Sequence, residues 1–234
     1  MIFTPPSSTL LALDRFAEIA KFAAPPIPAV TDLVGYDALV NFIRKEGVDR
    51  LEGDFLEIGC FLGGGTAKLA QLARITGRLV WVIDVFDPSF DHTANTNGDR
   101  MADLYHGYLQ SSSQEVIFRT VTKPWADRIR VIKEDSRKAS LPDGTRLAFA
   151  FGDGNHDPIW VRNDFQLIWS HLVPGGWAGF HDYGGDLPEV TAALDSMMRD
   201  HANEIERVET MKERWVLLVK KRSNSANLTS KDLH

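Results

Sequence analysis

A mostly parallel α/β sheet, wound with helices on both faces and finished by an antiparallel hairpin, is the fold this sequence predicts. Three observations carry it. Apolar runs alternate with amphipathic stretches along most of the 234 residues, the pattern that builds parallel sheets from strand–helix units. Leu79 to Ile83 is almost unbroken in apolar character, as in strands covered on both faces. Ile205 to Thr210 and Arg214 to Lys220 stand on either side of a short turn, which makes that last pair antiparallel.

The elements follow in order. Residues 1–30 hold a helical patch near 8–23 and the breaker run Pro25-Pro26-Ile27-Pro28, read as an N-terminal arm outside the main domain of 31–222. A helix begins at Thr31, with Tyr36, Leu39, Val40 and Ile43 on one face and Gly47 as its stop. Asp54 to Ile58 is a buried strand ending at Gly59, followed by a helix from Thr66 to Ile75 closed by Gly77. Residues 88–110 are polar and aromatic, a loop long enough to be a lid or substrate insert. A helix over 111–122 and strands over 129–133 and 146–151 come next. Pro158 opens a helix whose stripe is Val161, Phe165, Ile168 and Leu172. Pro174-Gly175-Gly176 turns the chain into strand 177–181. Asp186 and Glu189 are spaced as a capping pair around Pro188, ahead of Val190, Leu194, Met197 and Met198. The tail from Ser223 is polar. That is seven strands in all, and ligands in such sheets bind at the carboxyl ends of the strands.

Composition narrows the function. The net charge of -6 argues against a general nucleic-acid binder, which needs a surplus of Lys and Arg. Cys60 is the single cysteine, so no disulfide forms within the chain, as in a reducing compartment. No apolar run spans a bilayer, and Asp14 and Arg15 interrupt the only N-terminal apolar stretch, which lacks the form of a signal peptide. A cytoplasmic protein is expected, acting on a small molecule.

Every polar cluster falls at a strand end. Glu57-Ile58-Gly59 leads into Gly63, Gly64, Gly65 and Thr66, and such a turn brings backbone N–H groups close to a ligand. The spacing is not that of the dinucleotide fingerprint, which disfavours a nicotinamide dehydrogenase. An acid before the first glycine opposes a pyrophosphate and suits a cationic cofactor such as S-adenosylmethionine. Asp84 ends the second strand, where a carboxylate accepts from a ribose diol. Asp135 and Ser136 end the third, where an adenine edge is read. Asp153-Gly154-Asn155-His156 and His181-Asp182-Tyr183 end the next two. Neighbouring strands lie about 5 Å apart, so Asp153 and Asp182 reach one cation, and their oxygens suit Mg²⁺.

These segments – LEIGCFLGGGT, VIDVFDP, KEDS, GDGNH and LVPGGWAGFHDY – resemble class I, Rossmann-like methyltransferases. More narrowly, they are similar to the metal-dependent macrocin and mycinamicin sugar O-methyltransferases and to cephalosporin-hydroxylase-like proteins. The resemblance covers 31–220. It implies that Glu57, Gly59, Phe61, Gly63, Gly65 and Thr66 wrap the methionine part of S-adenosylmethionine, with Asp84, Asp135, Ser136 and Asp153 completing the cofactor site. It implies metal ligation by Asp153 and Asp182. His181 stands where relatives carry Asp or Glu, and a histidine ligand shifts preference towards Mn²⁺ or Fe²⁺. His156 takes the place of the general base, a task that suits an imidazole. The acceptor expected is a sugar hydroxyl first and a catechol-like phenol second, and a homodimer or larger assembly is expected. The rivals are a metal-dependent hydroxylase built on His156, His181 and Asp182, and a non-catalytic cofactor-binding protein. Tyr183 and Trp160 are pocket candidates, whereas Trp177 belongs to the core and Cys60 has a structural role.

Overall fold

Alternation along β1 (Asp54–Ile58) sends Phe55 and Leu56 into two different buried clusters, one on each face of the sheet. The computed structural model of the chain describes residues 25–223. The arm's helical patch at 8–23 and the tail beyond 223 lie outside the described residues. The other strands are β2 (Val80–Ile83), β3 (Ile129–Ile132), β4 (Leu147–Gly152), β5 (Leu172–Phe180), β6 (Ile205–Met211) and β7 (Val216–Lys221). They form one seven-stranded sheet in the order β3-β2-β1-β4-β5-β7-β6. The first five are mutually parallel, and β7 runs antiparallel to both β5 and β6. The expected hairpin therefore inserts its second strand beside β5 and leaves β6 at the edge.

Helices α1 (Tyr36–Lys45) and α2 (Gly64–Thr76) cover one face, packing Leu39, Ile43 and Leu69 with Phe55, Phe149, Phe151 and Trp177. Helices α5 (Pro158–His171) and α6 (Pro188–Asp200) cover the other, packing Phe165, Ile168 and Leu194 with Leu56, Ala150 and Ala178. All six residues of β4 are buried, as a central strand with helices on both sides requires. Among the described residues no helix is long and apolar enough to cross a membrane.

Several boundaries differ from the sequence reading, each for a local reason. The first helix starts at Tyr36, not Thr31: Thr31 closes a 3-10 turn, and Asp32 accepts hydrogen bonds from the Gly35 and Tyr36 amides, at 2.8 and 2.9 Å. Pro174-Gly175-Gly176 lies inside β5 rather than before it. Leu147 pairs with Leu172 and Phe149 with Trp177, so the extra residues are absorbed as a bulge, with Gly175 at φ +81°. Asp186 and Glu189 do not cap α6. Its N-cap is Leu187, without a side-chain bond, and Asp186 instead accepts from Asn95 Nδ2 at 3.0 Å.

The insert of 88–110 is not a structureless loop. Residues 101–109 form α3 (Met101–Leu109), and the next helix, α4 (Gln114–Thr122), starts three residues later than the periodicity suggested, where Ser113 caps it. The insert is pinned over the sheet. Asn95 and Thr96 bond Asp186, Asn155 Nδ2 donates to the Phe90 carbonyl at 3.1 Å, and Tyr105 and Tyr108 meet the Phe61 ring at 5.6 and 5.7 Å.

Candidate active site

Ladder hydrogen bonds continue past the strand ends and hold the polar loops side by side. The Gly59 amide donates to Ile83 at 2.9 Å, the Asp153 amide to Ile58 at 2.8 Å and the His181 amide to Gly152 at 3.1 Å. The loops after β1, β4 and β5 thus leave the sheet in register. They open into a cavity of about 350 Å³, roofed by the insert and closed at the hairpin end by Trp215. Small-molecule sites are of this size.

At the β1 end, Phe61 takes φ +45°, Gly59 φ +81° and Gly63 φ +87°. Side chains crowd the turn from within. A Cβ at Gly65 would lie 2.6 Å from the Tyr36 ring and 2.8 Å from Glu57 Oε1. Glu57 is almost fully buried, and Thr66 donates its hydroxyl to Glu57. Burial lifts the Glu57 carboxyl to about 8, although the Thr66 and Tyr36 hydroxyls favour its charged form. A buried, largely neutral acid facing a cavity is prepared for a cationic ligand.

Asp84 lines the cavity but is already engaged. Its Oδ2 accepts from the Cys60 amide at 2.8 Å and the Cys60 thiol at 3.2 Å, and its Oδ1 from the Phe86 amide at 2.6 Å. It therefore shapes the glycine turn as well as facing the cavity, and Cys60 has the structural role expected of it. Glu57, Gly59, Phe61, Gly65, Ser136 and Asp153 also line the cavity. Gly63, Thr66 and Asp135 do not. Gly63 is the N-cap of α2, Thr66 sits behind Glu57, and Asp135 turns its carboxylate to Trp160 Nε1 at 3.0 Å and to Arg137. Glu134 lines the cavity in place of Asp135.

At the β4 and β5 ends, Asp153, His181 and Asp182 each offer one ligand atom, all within 4.8 Å of one another. Asp182 sits at φ +59°, a left-handed conformation that aims its carboxylate into the cluster. His181 Nδ1 is 3.1 Å from both Asp153 Oδ1 and Asp182 Oδ2. Burial opposes charge on His181, but Asp153 and Asp182 outweigh it and pull the imidazole up to about 11. Two carboxylates and an imidazole this close are a donor set that fits a divalent cation.

His156 is buried beside this cluster. Its Nε2 is 2.8 Å from Asp182 Oδ2 and its Nδ1 is 2.5 Å from Asp91 Oδ2. Burial opposes its charge, yet hydrogen bonds to Asp182 and Asp91 pull it up to about 10. His156 contributes no atom to the cluster of three, which holds one histidine and two carboxylates.

Sequence reasoning missed Asp91, Tyr36, Tyr105 and Trp215. Asp91 had a local signal, since Asp91 Oδ1 accepts from both the Thr93 amide and hydroxyl in a compact turn, the usual behaviour of Asp-x-Thr. Tyr36 was read as core and is both core and cavity wall. Trp215 lies on the hairpin turn at φ +51°, and nothing in its local sequence marks it. Tyr183, a pocket candidate from sequence, points away and donates to Asp195 at 2.8 Å. Trp160 does line the cavity, and Trp177 is fully buried in the core.

A family model described as a methyltransferase domain matches residues 56–183. No curated protein matches the chain. The fold is similar to that of the O-methyltransferase NovP, at 18% identity and TM-score 0.63 over 82% of this chain and 80% of that one. It is similar to CalS11, a TDP-rhamnose 3'-O-methyltransferase, at 17% identity and TM-score 0.55 over 94% and 96% of the two chains. The SAH-bound Podospora anserina methyltransferase PaMTH1 gives 13% identity and TM-score 0.55 over 95% and 99%. At these identities the likeness is one of fold.

Proposed function

The chain belongs to the methyltransferase-domain family and is an S-adenosylmethionine-dependent methyltransferase, and from that premise we propose that it methylates a hydroxyl of a small molecule with the help of a divalent cation. The observation that carries this reading is the joining of two sites in one cavity: the glycine turn with Glu57 at one end, and Asp153, His181 and Asp182 with His156 beside them at the other. NovP is an O-methyltransferase and CalS11 a TDP-rhamnose 3'-O-methyltransferase, and a sugar hydroxyl is accordingly the first acceptor class, a catechol-like phenol the second.

S-adenosylmethionine supplies the methyl group as a sulfonium. Glu57 sits where a cationic end of that cofactor gains a carboxylate, and Gly59, Phe61 and Gly65 let backbone come close to it. Gly63 and Thr66 act from behind, as helix cap and as the clamp on Glu57. Asp84 and Ser136 face the nucleoside end, and Asp135 helps only by fixing Trp160. Asp153, His181 and Asp182 would hold a divalent cation, which would supply a Lewis acid to lower the pKa of an acceptor hydroxyl. His156 is the general base. Its Nδ1–H donates to Asp91, and its Nε2, which bonds Asp182 in the ligand-free protein, would be freed to take the hydroxyl proton once a cation claims the Asp182 carboxylate. Asp91 stabilises the imidazolium that results. The insert with α3 covers part of the cavity and limits the access of water to the transfer.

Two measurements test the reading. Calorimetry with S-adenosylhomocysteine, with and without Mg²⁺, should give binding in both cases. His156→Ala should abolish methyl transfer and leave that binding intact. Retained turnover would remove His156 from the mechanism, and absence of binding would remove the cofactor site. Sedimentation of the full chain tests the expected homodimer or larger assembly.

A further inference from the structure

The wall of the cavity has an unusual charge balance. Nine of its lining residues are Asp or Glu, and among the described residues neither Lys nor Arg lines it. Some of these acids have partners: Asp91 holds His156, and Asp32 holds Lys68 at 2.6 Å. Asp87, Glu134 and Asp186 accept instead from neutral donors, the amides of Ser89 and Asp135 and the Asn95 side chain. A dication and a sulfonium would leave such a cavity acidic. Recognition of phosphate needs the opposite, Arg, Lys or free helix N-termini. The first turn of α2 already has a carboxylate beside it, since a Cβ at Gly65 would lie 2.8 Å from Glu57 Oε1.

The mouth of the same cavity is apolar. Leu33, Leu104, Tyr108 and Trp215 all line it, and they are 51%, 42%, 48% and 44% exposed. They come from three separate elements: the turn before α1, helix α3 and the β6–β7 hairpin. Large apolar side chains converging on one pocket while open to solvent mark a ligand surface. Trp215 is held firmly there. Its carbonyl accepts from the Tyr183 amide at 2.9 Å, and its ring packs on Gly185, where a Cβ would come within 2.9 Å.

We propose that the acceptor is a phosphate-free hydroxyl compound with an apolar or aromatic face, held by Trp215, Tyr108, Leu104 and Leu33, and that nucleotide sugars and coenzyme A thioesters are rejected by the acidic wall. A sugar joined to an aromatic aglycone has this chemistry, and the same sugar on a nucleoside diphosphate does not. The inference rests on the methyltransferase site proposed above.

The test uses the full chain with Mg²⁺ and saturating S-adenosylhomocysteine. Calorimetry compares 4-nitrophenyl α-L-rhamnoside with TDP-L-rhamnose, which share the sugar and differ in what it carries. The aryl glycoside should bind at least tenfold more tightly. Trp215→Gly, which suits the left-handed backbone, and Leu104→Ser should each weaken it fivefold or more, with affinity for S-adenosylhomocysteine unchanged. Equal or tighter binding of TDP-L-rhamnose would overturn the proposal. So would binding of neither sugar by protein that holds S-adenosylhomocysteine, or variants that leave the aryl glycoside unaffected. Failure of S-adenosylhomocysteine itself to bind strikes the underlying site reading, and the two failures are thereby told apart.

Discussion

Nδ1 of His156 lies 2.5 Å from Oδ2 of Asp91, a residue 65 positions earlier in the insert. Asp91 has no oxygen to spare. Its Oδ1 accepts from Thr93, and its Oδ2 also accepts from the His156 amide at 3.2 Å. Asn at this position keeps one oxygen, so an NH₂ group must face either the Thr93 donors or those of His156. Asp91→Asn should therefore cost about 10²-fold or more in kcat through loss of the imidazole tautomer. KM and binding of S-adenosylhomocysteine should change little, and Asp91→Glu should recover part of the rate. A change confined to KM would show that Asp91 does not orient the base.

The cluster of Asp153, His181 and Asp182 predicts dependence on a divalent cation. Dialysis against EDTA should abolish turnover, and Mg²⁺ or Mn²⁺ should restore it. Asp153→Asn and Asp182→Asn should each remove the calorimetric signal of Mn²⁺ titration. His181→Asp should move preference from Mn²⁺ towards Mg²⁺, because a third carboxylate replaces the softer nitrogen. Full activity in EDTA would exclude the cation from the reaction.

Glu57 gives a prediction with a defined sign. Its folded-state pKa of about 8 stands above the ordinary 4.5. The stability it contributes is present below about pH 4.5 and is lost as pH rises through about 8, with an upper bound of about 5 kcal/mol. Glu57→Gln should accordingly raise the Tm of the ligand-free protein at pH 9 far more than at pH 4. The same variant should weaken binding of S-adenosylhomocysteine about tenfold or more. In the unsubstituted protein, binding should strengthen between pH 6 and 8 and release a proton, measurable in buffers of different ionisation enthalpy.

Two glycines with similar backbone angles should respond very differently to alanine. Gly59 has φ +81° and a Cβ there would lie 1.9 Å from the Asp153 carbonyl oxygen, whereas Gly77 has φ +74° and nothing within 4 Å. Gly77→Ala should cost about 1 kcal/mol, the conformational penalty alone. Gly59→Ala should cost about 3–5 kcal/mol and lose cofactor binding. Denaturant unfolding of the pair checks this, and equal losses would contradict the packing described.

The strands were legible because their signal is local. Leu79 to Ile83 and Asp54 to Ile58 declare burial by composition, and Gly59, Asp84, Asp153 and Asp182 then fall at strand ends by counting. What the sequence hid depends on contacts made at a distance. Asp186 looked like a helix cap until Asn95 of the insert took its carboxylate. Asp135 and Glu134 are neighbours in one tetrapeptide, and which of them faces the cavity was settled by the Trp160 indole 25 residues on. Residues 101–109 carry no clean helical stripe because α3 buries only Met101 and Leu109 and lays its aromatic side over a cavity.

The contact of Gly59 with the Asp153 carbonyl has a consequence for how this cavity can be altered. The loops after β1 and β4 meet there main chain against main chain, with no side chain between them to vary. Their separation is set by backbone atoms, provided that position 59 stays glycine. Substitutions on α3 and the hairpin can therefore reshape the opposite wall of the cavity without touching the main-chain contact that spaces the β1 and β4 loops.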